Sequence, residues 1–132
     1  MKVLKARTIV EGKARGKVVF SSQPLAFLRG VDPDLGHVSD PNHEIYRKSF
    51  AGRILLFPNS VGSSVGAYVI YRMKKAKKDP VAIINQKSDI ITASGCAIAG
   101  IPLFDLPENK IEELRTANDI AVNSRRSEIR VL

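Results

Sequence analysis

The segment from Gly52 to Tyr71 constrains this chain more than any other stretch. Ile54 to Phe57 is a short apolar run that reads as a buried strand, and Pro58 ends it. Asn59 to Gly66 follows, a loop of small residues with serines at 60, 63 and 64 and glycines at 62 and 66. From Val65 onward the period turns helical: Val65, Val69 and Met73 fall at i, i+4 and i+8, with Ile70 beside them. A strand, a loop of hydroxyls and a helix in that order put side-chain oxygens and backbone N–H groups at the positive end of a helix dipole. That position favours anions. Ser63 or Ser64 is the expected N-cap, because a hydroxyl there accepts from the open N–H groups of the first turn. The loop alone admits two readings. It is a capped helix start, or it is an anion or substrate site with one serine acting chemically. It is not a nucleophile elbow, since Gly62 directly precedes Ser63. It also lacks the lysine of a phosphate-binding P-loop.

The rest of the chain supplies strands before this segment and helix–strand units after it. Val3 to Val10 and Lys17 to Phe20 read as strands, separated by a glycine-bearing turn or bulge at Glu11–Gly16. Leu25 to Leu28 reads as another short strand. Val31 to Lys48 is polar, with two Asp-plus-Pro turns and little periodicity, so it is expected to be a long loop. Pro80 stops the central helix. Val81 to Asn85 is almost wholly apolar and reads as a strand buried on both faces. Asp89 to Thr92 fits either a helix start or a strand. Thr92 to Gly100 reads as a short apolar helix that Gly100 ends. Ile101 to Asp105 is a strand, Pro107 to Leu114 a turn or short helix, and Asp119 to Val122 and Arg125 to Leu132 close the chain as strands. No repeat, linker or low-complexity segment divides it. The expectation is one domain over residues 1–132 of mixed α/β class, a small barrel-like mixed sheet with flanking helices.

Charge and cysteine usage limit the functions available. The formal net charge is +8. A basic nucleic-acid-binding module is one reading of that balance, and a non-catalytic interaction domain is another. The positive residues are scattered, apart from Arg72 to Lys78 at the end of the proposed helix, where cations complement its dipole. No RNA-binding aromatic pattern accompanies them, so nucleic acid is not the expected partner. Cys96 is the one cysteine. It cannot form an internal disulfide or hold an iron–sulfur cluster by itself, and its small apolar neighbours mark a buried thiol. Asp32, His37, Asp40 and His43 could be assembled into a metal site, but their spacing matches no ligand template, and Asx turns account for the aspartates. Arg29 and Arg53 are possible anion contacts, read here as surface or interface charges. No apolar run is long enough to span a membrane. The first residues, Met1 to Arg7, alternate charge and apolar character, so a cytoplasmic protein is expected.

Several pieces then occur together, in order. They are Gly30-Val31-Asp32-Pro33, Gly36-His37-Val38-Ser39-Asp40, His43, Gly52-Arg53-Ile54-Leu55 and Gly62 through Ile70, followed by Ile83-Ile84-Asn85, Asp89 and Ala97 through Pro102. This set, running from about Val10 to Asp105, resembles the swivel-domain family of the aconitase X group. The resemblance implies a swivelling β/β/α domain. It implies a hydro-lyase that dehydrates (R)-5-phosphomevalonate to trans-anhydromevalonate 5-phosphate in a modified mevalonate route to isoprenoids. It implies a heterodimer whose large subunit carries the [4Fe-4S] cluster, with none bound by this chain, and a substrate that is a small phosphorylated hydroxy acid. In the family a serine of the Gly-Ser motif is the catalytic base, a role that carries over to Ser63. Gly62, Ser64 and Gly66 are then expected substrate-binding neighbours.

Overall fold

One continuous N-terminal segment occupies both edges of the main sheet. The computed structural model describes residues 2–132. Strands β1 (Lys2–Lys5) and β2 (Arg7–Val10) are separated only by Ala6. They are followed by β3 (Lys13–Phe20), helical turn α1 (Phe27–Gly30), a small ribbon of β4 (Val31–Asp32) and β5 (His37–Val38), then β6 (Ile54–Phe57) and helix α2 (Gly66–Lys75). The chain continues through β7 (Ala82–Asn85), α3 (Ile90–Ala99), β8 (Leu103–Asp105), α4 (Glu108–Ile111), β9 (Asp119–Asn123) and β10 (Glu128–Val131). The eight-stranded sheet has the order β1-β10-β9-β3-β6-β7-β8-β2. β1 pairs antiparallel with β10 at one end, and β2 pairs antiparallel with β8 at the other. Since β1 and β2 are the two halves of one strand, the sheet curls round on itself into a barrel, which leaves no long open edge.

The second hinge of the barrel is β3. Residues Lys13–Lys17 pair antiparallel with β9, and Val18–Phe20 pair parallel with β6. Gly16 lies at the changeover. A Cβ there would stand 3.3 Å from Val81 Cγ2 and 3.4 Å from the Gly52 carbonyl oxygen, so the backbones approach closely at this point. The expected turn over Glu11–Gly16 is therefore strand from Lys13 onward, because sheet pairing overrides the local preference of the glycine.

β6, β7 and β8 run parallel, with α2 and α3 as the crossovers between them. Their residues alternate between two cores. Ile54, Leu56, Ala82, Ile84 and Phe104 pack with Leu4, Ile120, Val122 and Ile129 inside the barrel, where Ile111 and Leu114 join them. Leu55, Phe57, Ile83 and Leu103 face outward onto Ile70, Met73, Cys96 and Ala99 of the two helices. Burial on both faces explains why these strands read as unbroken apolar runs.

Local differences from the sequence reading have physical causes. α2 starts at Gly66 and buries Gly66, Ile70 and Met73, while Val65 is exposed and Val69 only partly covered. α3 begins at Ile90, earlier than Thr92, because the Asp89 carboxylate accepts the Thr92 N–H (2.9 Å). Gly100 ends it with φ +73°, as expected. Leu25 to Leu28 is not a strand. Leu25 makes an isolated parallel bridge to Ser60, after which the chain turns through Arg29 at φ +70°. The segment Val31–Lys48 is folded rather than open: Val31, Val38 and Ile45 belong to the outer core with Phe50. Asp32 accepts from the N–H groups of Asp34 and Leu35, and Asp40 from that of Asn42, as Asx turns.

Helices α2 and α3 meet across Gly95. A Cβ at that position would lie 2.7 Å from Ile70 Cδ1 and 3.2 Å from Ala67 Cα. Gly95→Val is expected to destabilise the fold by roughly 1–3 kcal/mol through overpacking. Chemical denaturation of the variant, read as a lower midpoint at unchanged slope, checks this.

Candidate active site

The parallel strands all end on one side of the barrel, and the loops that leave them meet there. In open parallel sheets this carboxyl end is where ligands bind. The loop after β6 is anchored first by backbone: Leu25 N–H donates to the Asn59 carbonyl (3.2 Å) and Val61 N–H to the Leu25 carbonyl (3.1 Å). The second anchor is Asp89. Its carboxylate accepts the Ser60 N–H at 2.6 Å and the Ser60 hydroxyl at 2.5 Å, while also holding Thr92 Oγ1 (3.2 Å). One carboxylate thus ties the loop after β6 to the start of α3. A third anchor lies beneath. Buried Asn85 donates to the Phe57 carbonyl (3.0 Å), and Ser88 joins Asn85 to Asp105. A depression of about 340 Å³ lies at this end, lined by Pro58, Asn59, Gln86, Lys87, Ser88 and Asp89.

Beyond these anchors the chain rises to the residues singled out from sequence. Gly62 takes φ +96°, a conformation that a side chain would strain. Gly62, Ser63 and Ser64 are exposed. Ser63 Oγ accepts the Val65 N–H (3.2 Å), and the Ser63 carbonyl accepts the Gly66 N–H (2.9 Å). The helix therefore has no side-chain cap on its own first turn; the serine caps the turn that feeds it. Among the described residues, the N–H groups of Gly62, Ser63 and Ser64 donate to no protein acceptor. Gly66 is buried, and a Cβ there would stand 3.0 Å from Ile91 Cγ2 and 3.4 Å from Phe27 Cβ. Its lack of a side chain lets α2 sit down on Phe27 and α3, which sets the height of the loop. The structure thus brings Gly62, Ser63 and Ser64 together at the surface with open donors, and places Gly66 below them.

The arginines separate. Arg29 is exposed on the turn after Phe27. Arg53 lies just before β6, at the opposite end of that strand from Ser63. The basic run after α2 is partly used within the fold: Arg72 pairs with Asp34 (2.7 Å) and Lys74 with Asp79 (3.5 Å). That internal pairing leaves less charge for a nucleic-acid face. Cys96 is fully buried, and burial with the Asp89 charge pushes its thiol up to about 12, so it offers neither a thiolate nor a metal ligand. Among the described residues no group of three metal-ligating side chains gathers, and the His43 ring is engaged with the Pro24 carbonyl (3.0 Å). Among the described residues no ligand set fits an iron–sulfur cluster. Among the described residues no helix is long and apolar enough to cross a membrane.

Two carboxylates stay ionised through hydrogen bonding. Burial alone would raise the Asp89 pKa, but donation from Ser60 and Thr92 outweighs it and holds the carboxyl below its ordinary value. Glu44 follows the same logic. Burial opposes its charge, yet Ser21, Ser22 and Gln23 donate to it and win, fastening the Asp40–Phe50 region to the end of β3. Asp89 and Ser60 escaped the site assignment made from sequence. Their signal was the N-cap pattern of Asp89 with Thr92 three residues on, ahead of an apolar run. Asp89→Ala is expected to cost about 1–3 kcal/mol of stability near neutral pH. Because hydrogen bonding holds the folded carboxyl below its ordinary value, its contribution is whole above the ordinary carboxylate range and fades as pH falls through the depressed one. The gap between wild type and variant, measured by denaturant titration, is therefore expected to narrow below about pH 4.

Comparison with known proteins agrees with this geometry. The family model described as the aconitase X swivel domain matches residues 3–131. The phosphomevalonate dehydratase small subunit of Thermococcus gammatolerans is 43% identical over 129 residues, covering 98% of this chain and 97% of that one. Its counterpart in Methanothermobacter thermautotrophicus is 42% identical over 125 residues, covering 94% and 95%. Among solved structures, the holo-form of Thermococcus kodakaraensis aconitase X superposes with a TM-score of 0.94 at 43% identity, covering 100% of this chain and 99% of that chain. The solution structure of a UPF0107 protein superposes with a TM-score of 0.89 at 35% identity, covering 99% of each. With the barrel, the crossover helices and the serine loop in place, the chain belongs to the aconitase X swivel-domain family.

Proposed function

We propose that this chain is the small subunit of a phosphomevalonate dehydratase, a hydro-lyase that is inactive without its large subunit. The reaction removes water from (R)-5-phosphomevalonate to give trans-anhydromevalonate 5-phosphate, in a modified mevalonate route to isoprenoids in the cytoplasm. The reading is supported by relatives of that name at 42–44% identity over nearly the whole chain. One observation carries the assignment of chemistry to this chain: Ser63 stands exposed on an anchored loop, beside three backbone N–H groups with no protein acceptor.

The proposed chemistry starts from the acidity of hydrogen next to a carboxylate. Ser63 Oγ takes a carbon-bound proton, the C–H electron pair forms the new double bond, and the C–O bond breaks as hydroxide departs. A serine hydroxyl is a weak acid, so its ionised form needs help. Open N–H donors at a helix start favour the alkoxide and the negative charge that develops on the substrate carboxylate. Gly62 and Ser64 are the proposed donors to substrate. Gly66 acts by lowering α2 onto Phe27 and Ile91, which holds those donors in place. The loop is open on this chain, so the large subunit is the second wall of the site. The proposal places cluster chemistry on that chain; Cys96 is the one cysteine here and it is buried.

Reconstitution with the large subunit and a phosphomevalonate dehydration assay test this. Ser63→Ala is expected to lower kcat by roughly 10²–10⁴, with assembly intact by gel filtration. Ser64→Ala, which keeps its backbone N–H, is expected to lose less than about tenfold. Full turnover in the Ser63→Ala complex would remove the serine from the chemistry.

A further inference from the structure

The helix that begins at the serine loop also carries an unusual surface. Tyr68 is 77% exposed and Val65 50%. Beside Tyr68 on α3, Ile98 is 69% exposed. Tyr68 and Tyr71 line two adjoining grooves. One runs beside Val65, Val69 and Leu28, and the other lies between α2 and Ile98. Large apolar side chains left together in water mark a contact surface rather than scattered exposure.

The charges around the face select its occupant. Arg72 and Lys75 line the first groove, and no carboxylate does. Asp34 reaches in only to pair with Arg72, and Lys75 sits over the Tyr71 ring at 6.0 Å. A second copy of this chain would bring two Lys75 side chains together with no carboxylate lining the groove, which like-charge repulsion opposes. A chain with an apolar surface rimmed by carboxylates fits instead. The relatives are named as small subunits, and the face adjoins a serine loop that lacks a second wall.

We infer that the face of Val65, Tyr68, Tyr71 and Ile98 is where the large dehydratase subunit docks, with Tyr68 at its centre and Lys75 on its acidic-facing rim. This rests on the subunit reading above and adds the surface that performs it. Docking here sets the large chain beside Val65, two residues from Ser63, and so closes the open loop.

The test titrates this chain into the purified large subunit by calorimetry. Tyr68→Asp is expected to weaken binding at least roughly 30-fold, as for a buried aromatic anchor. Thermal unfolding of the free variant is expected to stay near wild type, because the side chain is exposed. Ile98→Asp on the other helix is expected to act alike, and it serves if Tyr68→Asp folds poorly. Lys75→Glu is expected to slow association about tenfold at low salt, with the difference shrinking as salt rises. Wild-type affinity in both aspartate variants overturns the docking face. Self-association of the free chain that Tyr68→Asp abolishes, with large-subunit binding spared, overturns it in favour of a second copy. The serine reading fails by a different result, full turnover by a Ser63→Ala complex, so the two can fall separately.

Discussion

The structure depends on three short strands that must lose water from both faces. Ile54–Phe57, Ala82–Asn85 and Leu103–Asp105 are buried along their lengths. A strand of this kind is stable only with one apolar layer above it and another below. The lower layer is the barrel interior, which exists because β1 and β2 join both edges of the sheet. The upper layer is α2 and α3, which the parallel strands require as crossovers in any case. At roughly 25 cal/mol per Å² of apolar surface, double burial of this kind is the main favourable term in a domain this small.

The same constraint creates the site. Parallel strands release their chains at one end, so the loops after β3, β6 and β7 converge. Loops that converge carry polar backbone, and each N–H and C=O needs a partner. Asp89, Asn85 and Asp105 supply partners of that kind in the floor. Among the described residues, the exposed crest at Gly62 to Ser64 keeps N–H groups that have no protein acceptor. A rigid floor below an open crest suits binding, because the donors need little reorganisation when an anion arrives.

The segment Val31–Phe50 shows how a polar stretch becomes part of a scaffold. Its apolar residues are too widely spaced to signal an element, yet Val38, Ile45 and Phe50 insert into the outer core. Glu44 then fastens it to the serines after β3. Asp32 and Asp40, the aspartates weighed as metal ligands, cap turns. Their role is local, and so was the signal for it.

Local sequence determined the parts that depend on near neighbours. The apolar runs, the αL cap at Gly100 and the serine loop before a helix all follow from residues within a turn or two of each other. The α/β class and the barrel-like sheet were legible because strands precede the helix–strand units. Tertiary structure alone decided which strands pair across the chain, and hence that Lys13–Gly16 is strand rather than turn. It also decided that Asp89, 29 residues from Ser60, anchors the loop. It separated Arg53 from the site by the length of a strand and left Tyr68 and Ile98 side by side in water. Those outcomes come from long-range closure, in which a residue's partner is set by how the whole sheet curls and not by the residues beside it.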